Sequence, residues 1–388
     1  MVDFSLDDVV RPGSRVALAD GCGTPTVLQG PLSRAAARAG DVRLVLGWMP
    51  APTPDLDPAA FADVRVLMGG PGVRSMVEAG DAHVVPCRLS AVPALLAGVL
   101  KPDLLVATLV RGPRGLHLGA EASYMRGLVE AGVPVAGVVS TATPLADAGD
   151  PLPADAITVL GETDEGPAEI PTPPPTPADE AIARNVAALV PEGARVQVGP
   201  GRLAQAMVAA LEVPVRIDSG LLPEPVVDLD QKGLLLDDPM CAYLIGTRRL
   251  YDWADGRRLL HPIEVTHDVG RLSAAGAPPL IGLNAALEID VDGQVNVEGL
   301  GRSAAGMIGG HPDFAAAGVR GPGLSVIALA SAHKERPTLV ERLSRPVTTA
   351  SHDVDVVVTE RGTADLRGLD RAERRAALLD LWDGRVAG

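Results

Sequence analysis

Pro191-Glu-Gly-Ala-Arg-Val-Gln-Val198 runs into Gly199-Pro200-Gly201 and then into the helix-like stretch Leu203-Ala-Gln-Ala-Met-Val-Ala-Ala-Leu211. A short apolar strand, a glycine turn and a helix, in that order, make the unit from which α/β sheets are built, with ligands at the strand C-terminal ends. The same pattern opens the chain, where Pro12-Gly-Ser-Arg-Val-Ala-Leu18 leads into Asp20-Gly21-Cys22-Gly23-Thr24-Pro25. One such unit in each half points either to two similar α/β domains or to the ordinary recurrence of this motif in any α/β protein.

Working outward, Arg43–Gly47, Val64–Met68, Leu104–Val110, Val135–Val139, Leu324–Leu329 and Val354–Val358 are short Val-rich runs separated by helix-length segments. Such runs fit largely parallel sheets buried on both faces. Asp292-Gly293, between Leu287–Val291 and Gln294–Val297, is a two-residue hairpin signal and adds a mixed sheet to the second half. Residues 165–180 (EGPAEIPTPPPTPADE) carry five prolines between Pro171 and Pro177. Proline removes an N–H donor and fixes φ, so this stretch reads as a linker between domains at 1–164 and 181–388.

The chain has 388 residues, enough for two or three domains, with 47% hydrophobic and 21% charged residues, which indicates a folded protein rather than a disordered one. Only nine residues are aromatic, three each of Phe, Trp and Tyr, which leaves little for base stacking. The formal net charge of −15 opposes a phosphate backbone, so nucleic acid is not an expected partner, although a local basic pocket for a small anion is compatible with it. Three cysteines without paired spacing argue for a reducing compartment and against a zinc site. The N-terminal stretch lacks a basic leader and no run reaches the length of a membrane span, so the expectation is a cytoplasmic protein with no membrane partner.

Gly199-Pro200-Gly201 lacks the third glycine of a dinucleotide fingerprint, and no phosphate-binding P-loop is present. Cys22 is a candidate nucleophile, against the commoner reading of a small buried thiol. The seven histidines show no metal-ligand spacing, and His117, His267 and His311 receive no role. Gly306-Met-Ile-Gly309-Gly310-His-Pro-Asp313-Phe314 can aim backbone amides at an oxyanion or serve as a tight structural loop.

Several segments resemble the acetyl-CoA hydrolase/transferase family, which includes acetate and 4-hydroxybutyrate CoA-transferases. They are Asn284–Asn296, the Gly309-Gly310-x-x-Asp313-Phe314 turn, Ser325–Leu329 and Asp355-Val-Val-Val-Thr-Glu-Arg-Gly-Thr-Ala-Asp-Leu-Arg-Gly368. Weaker matches are Asp20–Pro25, Val84–Pro93 and Tyr243–Tyr251. The resemblance implies two similar open α/β domains with a CoA-thioester site in the cleft between them. It implies no tightly bound cofactor, with coenzyme A or acyl-CoA as ligand and a small carboxylic acid as second partner. It also places Gly309, Gly310, Asn284 and Glu360 at the thioester and the turns Gly21, Gly23, Gly199 and Gly201 along the CoA cleft. A homodimer is the default assembly, with a hetero-complex as the other possibility.

In that family a glutamate carboxylate attacks the thioester and becomes acylated. The matching segment here is Ile217-Asp-Ser-Gly220-Leu-Leu-Pro-Glu-Pro-Val-Val-Asp-Leu229, with Gly220 at the glutamate position and no side chain to acylate. Asp218 on an extended segment would share the side of residue 220 about 7 Å back, and Glu224 follows in a loop. Three readings follow: hydrolysis by a positioned water, CoA binding without catalysis beside an active partner, or a transferase with Asp218 or Glu224 as the relocated nucleophile.

Overall fold

The computed structural model describes residues 4–301, 303–304 and 306–388. Residues 1–3 of the N-terminal stretch read for a leader lie outside them. The chain divides into two compact units, one of Met1–Cys87, Ala91–Ile170 and Cys241–Glu264, the other of Arg88–Ser90, Pro171–Met240 and Val265–Gly388. Both are α/β, as the Val-rich runs predict.

In the first unit the sheet order is His83–Val84, Asp63–Val66, Arg43–Leu46, Arg15–Leu18, Leu104–Gly112, Val135–Ser140, Ile157–Thr163. All these neighbours pair in parallel, and Gly115–Leu118 folds back antiparallel on Leu104–Gly112. From Arg15–Leu18 the chain first builds outward on one side and then returns to add Leu104–Gly112 on the other. The order therefore reverses between these two strands, and the turn Asp20–Pro25 sits at the carboxyl end of the reversal, where open α/β sheets bind ligands. Leu18, Leu44, Leu46, Val66 and Val106 fill the core beneath the helix Thr26–Ala39.

The second unit repeats the construction. Its sheet runs Arg216–Ile217, Arg195–Val198, Leu280–Ala285, Leu324–Ala328, Val356–Thr359, Gly362–Asp365, parallel except for the last pair. The order reverses between Arg195–Val198 and Leu280–Ala285, so the turn Gly199–Gly201 and the end of Leu280–Ala285 share the equivalent place. The hairpin around Gly293 (φ +83°) forms, but it pairs Glu288–Asp290 with Val295–Asn296 in a separate small sheet with Leu339–Val340. The mixed character of the main sheet comes instead from Gly362–Asp365.

The proline-rich stretch ends in a helix rather than in coil. Thr176 and Asp179 form a reciprocal capping box and Pro177 takes the first helical turn of Pro177–Ala187, where a missing N–H costs nothing. The segment from Ile217 to Leu229 is not continuously extended either: Arg216–Ile217 and Leu221–Pro223 are short strands, and Pro225–Gln231 is a helix.

Trp382 is buried at the centre of a cluster with Ile289, Ile327, Leu339, Val357 and Leu378, and its indole N–H donates to the Ser331 carbonyl at 2.8 Å. Trp382→Ala is expected to lose about 3–5 kcal/mol of stability, read as a lower urea midpoint of the second unit by circular dichroism.

Candidate active site

The second unit brings together several of the residues singled out from sequence. Gly310 caps the helix His311–Arg320, and Gly309 adopts φ +55°, a left-handed conformation that favours glycine. The turn is fixed from two directions. Leu89 N–H donates to the Gly309 carbonyl at 3.1 Å, while Asp313 accepts from Ser90 N at 3.0 Å and from Ser90 Oγ at 2.6 Å. Asp313 of the glycine-rich motif is thus a buried anchor for the turn. Among the described residues, the amides of Gly309 and Gly310 have no hydrogen-bond partner, and with the positive end of the helix they can receive a developing negative charge.

Gly220 faces this turn through a residue that sequence reading left without a role. A Cβ at position 220 would lie 2.8 Å from His267 Nε2 and 3.4 Å from Phe314 Cε2. A Cβ at Gly310 would lie 2.5 Å from the same Nε2. The two glycines therefore flank one imidazole, which is 1% exposed. Its Nδ1 lies 2.9 Å from Thr266 Oγ1, and its ring meets Phe314 edge-on with centroids 5.0 Å apart. Burial, with Arg271 adding to it, pushes its pKa down to about 3, so the ring is neutral near pH 7.

At the strand-order reversal, Asn284 Nδ2 and Gln197 Oε1 are buried without a hydrogen-bond partner among the described residues, and so is His311 Nε2. A Cβ at Gly282 would lie 3.5 Å from Gln197 Oε1 and 3.7 Å from Asn284 Nδ2, so these two amide groups converge over one glycine. Buried polar atoms are nearly always paired, so this strand end is a candidate place for a ligand or an ordered water. His311 Nδ1 is held by Thr349 Oγ1 at 2.7 Å. Burial pushes the His311 pKa down to about 4.

Asp218 is clamped by two arginines. Arg271 contacts both its oxygens, at 2.7 and 2.9 Å, and Arg195 Nη1 lies 3.1 Å from Oδ2. A carboxylate held on both oxygens by guanidinium groups is a structural tie and a poor nucleophile. Glu224 immediately precedes the helix Pro225–Gln231. Glu360 accepts from Ser331 N at 2.8 Å and from Ser331 Oγ, at the end of a strand two places from that of Asn284, and none of these partners belongs to the Gly309–Gly310 turn. Among the described residues nothing lies within 4 Å of a Cβ built at Gly199 or Gly201, so that turn borders open space.

Residues 246–386 match the acetyl-CoA hydrolase/transferase C-terminal domain. Over 338 residues the chain is 29% identical to a succinyl-CoA:cyclohexane-1-carboxylate CoA transferase of Geobacter metallireducens, covering 79% of this chain and 74% of that protein. It is 25% identical over 339 residues to a 4-hydroxybutyrate coenzyme A transferase of Clostridium kluyveri, covering 82% of this chain and 78% of that one. The C-terminal part of the chain thus matches the acetyl-CoA hydrolase/transferase family, and most of its length is similar to CoA-transferases. RipA from Yersinia pestis shares the fold, with a TM-score of 0.87 at 22% identity over 96% of this chain and 91% of that one.

The first unit carries a second polar cluster at its own strand reversal. Glu121 accepts from Gly23 N at 2.9 Å, and a Cβ at Gly21 or Gly23 would lie 2.5 Å from one of its oxygens, so these glycines pack over a buried carboxyl. Burial raises the Glu121 pKa well above the ordinary range and brings Asp20, which accepts from Trp48 N and Tyr243 OH, up to about 6. Cys22 is buried and burial pushes its thiol up to about 12, which makes it an inert thiol. Among the described residues no group of His, Cys, Asp and Glu is arranged to hold a metal.

Two outcomes check this geometry. Gly220→Ala is expected to destabilise by about 1–3 kcal/mol through overpacking. In a His267→Ala background that cost is expected to vanish, giving a coupling of about 0.5–3 kcal/mol in a double-mutant cycle. The second concerns acid. A histidine whose folded pKa is about 3 against about 6.5 unfolded contributes its full stability above pH 6.5 and loses it as pH falls toward 3. His267→Asn is therefore expected to lose on the order of 4 kcal/mol less than the wild type between those limits, measured by urea unfolding at a series of pH values.

Proposed function

We propose that this chain binds a CoA thioester at the Gly309–Gly310 turn and cleaves it with water, releasing coenzyme A and a small carboxylic acid. The observation that carries the reading is the pairing of two unoccupied turn amides with an imidazole, in place of a side chain, at Gly220. The amides suit the tetrahedral oxyanion of acyl transfer, and Asn284 Nδ2, buried without a partner among the described residues, is a further donor at the same strand end. The relatives are named for CoA thioesters and carboxylates, and the similarity to them supports that ligand class here. Gly199 and Gly201 border open space along which the rest of the ligand can run.

The transferase route through an acyl-glutamate has no carboxylate at position 220, and Asp218 is engaged by Arg195 and Arg271. Glycine at position 220 equally favours a second reading, in which the chain binds acyl-CoA without turning it over and a partner chain supplies the carboxylate. We place the protein in the cytoplasm, consistent with three free cysteines, and assign no tightly bound cofactor.

The test is isothermal titration with coenzyme A and acetyl-CoA, followed by thiol release without any acceptor acid. Binding with acceptor-independent release is the expected result. Release that requires an added carboxylic acid, with an enzyme thioester trapped by hydroxylamine, would restore a carboxylate nucleophile, and binding without release would favour the non-catalytic reading.

A further inference from the structure

Resting on the thioester reading above, the structure assigns a role to His267: we propose that it is the general base of the hydrolysis, its Nε2 taking the proton of the attacking water. Buried histidines in apolar surroundings normally satisfy both ring nitrogens. Here Nδ1 is held by Thr266 Oγ1 at 2.9 Å, whereas Nε2 has no hydrogen-bond partner among the described residues. That nitrogen faces the Cα atoms of Gly220 and Gly310 so closely that a Cβ on either would collide with it. Phe314 fixes the ring from its edge. An oriented nitrogen lies against the glycine that caps the helix His311–Arg320, next to amides suited to an oxyanion.

The step balances without a further reagent. Water oxygen bonds to the thioester carbonyl carbon as its proton passes to Nε2, and the carbonyl oxygen becomes an oxyanion on the Gly309 and Gly310 amides. Collapse breaks the C–S bond, the thiolate leaves, and the imidazolium returns its proton, so that R–CO–S–CoA and H2O give R–COOH and HS–CoA. Desolvation disfavours an isolated imidazolium at this depth, but the cation forms here beside the oxyanion that neutralises it. The neutral resting state is the one able to accept a proton.

The experiment compares wild type, His267→Asn and His267→Ala for thiol release from acetyl-, butyryl- and succinyl-CoA and for coenzyme A affinity by titration calorimetry. Asn keeps most of the volume and a polar group without a basic nitrogen, so it carries the test where the cavity left by Ala unfolds the chain. A fall in kcat of about 10²–10⁴-fold with coenzyme A affinity unchanged is expected. A purely structural role would shift affinity and melting temperature together with kcat. If wild type hydrolyses and folded His267→Asn stays within about tenfold of it, the base assignment is overturned while the hydrolytic reading stands. If wild type binds coenzyme A but releases no thiol from any of the three, both are overturned.

Discussion

Two Cα atoms without side chains, those of Gly220 and Gly310, close on one buried imidazole, and the chemistry available to the second unit follows from that exclusion. With Nε2 at 2.8 Å from the nearest position a Cβ of residue 220 could take, no side chain fits there while His267 keeps its place. Interiors are packed too tightly to absorb such an overlap by small shifts. The glycine and the histidine are therefore one feature. The absence of a side chain at position 220 and the place of the imidazole are one constraint seen from two sides.

The rest of the unit holds these groups still. Asp218, two residues before Gly220, is tied to Arg195 on a central strand and to Arg271 beyond His267, so one buried carboxylate fixes the segments bearing both members of the pair. Taking two charges out of water is costly, and the bidentate geometry with Arg271 is what offsets it. Asp313 does the equivalent for the glycine turn by binding Ser90 through both oxygens. The parallel sheet brings Gln197 and Asn284 to the same strand reversal and leaves Gln197 Oε1 and Asn284 Nδ2 without partners among the described residues. Polar groups left open at that place in a fold are what a ligand would satisfy.

Much of the architecture was legible in the sequence because its signals are local. Val-rich runs such as Val135–Val139 and Val354–Val358 became buried strands within two residues of their expected ends, and both glycine turns stand at strand reversals. The two motifs holding Asn284 and Gly309-Gly310 fall near the end of Leu280–Ala285 and at the start of His311–Arg320. What escaped was non-local. His267 sits in Val-Thr-His-Asp with no spacing to distinguish it, and only the fold carries it to Gly220. Asp218 looked like a free carboxylate until Arg195 and Arg271 arrived from distant segments, and Glu360 turned out to be engaged by Ser331. The hairpin at Gly293 was readable from its turn, but which sheet it joins depends on Leu339–Val340, far along the chain.

Glu121 and Asp20 repeat the theme in the first unit, where buried carboxyls sit under a glycine turn at the matching strand reversal. Both units thus put polar groups at the place where such sheets receive ligands, and in the second an imidazole lies beside helix-terminal amides that have no hydrogen-bond partner among the described residues. The most direct measurement is a crystal structure with a non-hydrolysable thioether analogue of acetyl-CoA. The expected result is the acyl carbonyl on the Gly309 and Gly310 amides, with a water bridging it to His267 Nε2 at about 3 Å from that nitrogen. An acyl group bound instead at the Gly21–Gly23 turn, or a His267 ring sealed away from it, would contradict the assignment of this pocket as the reaction centre.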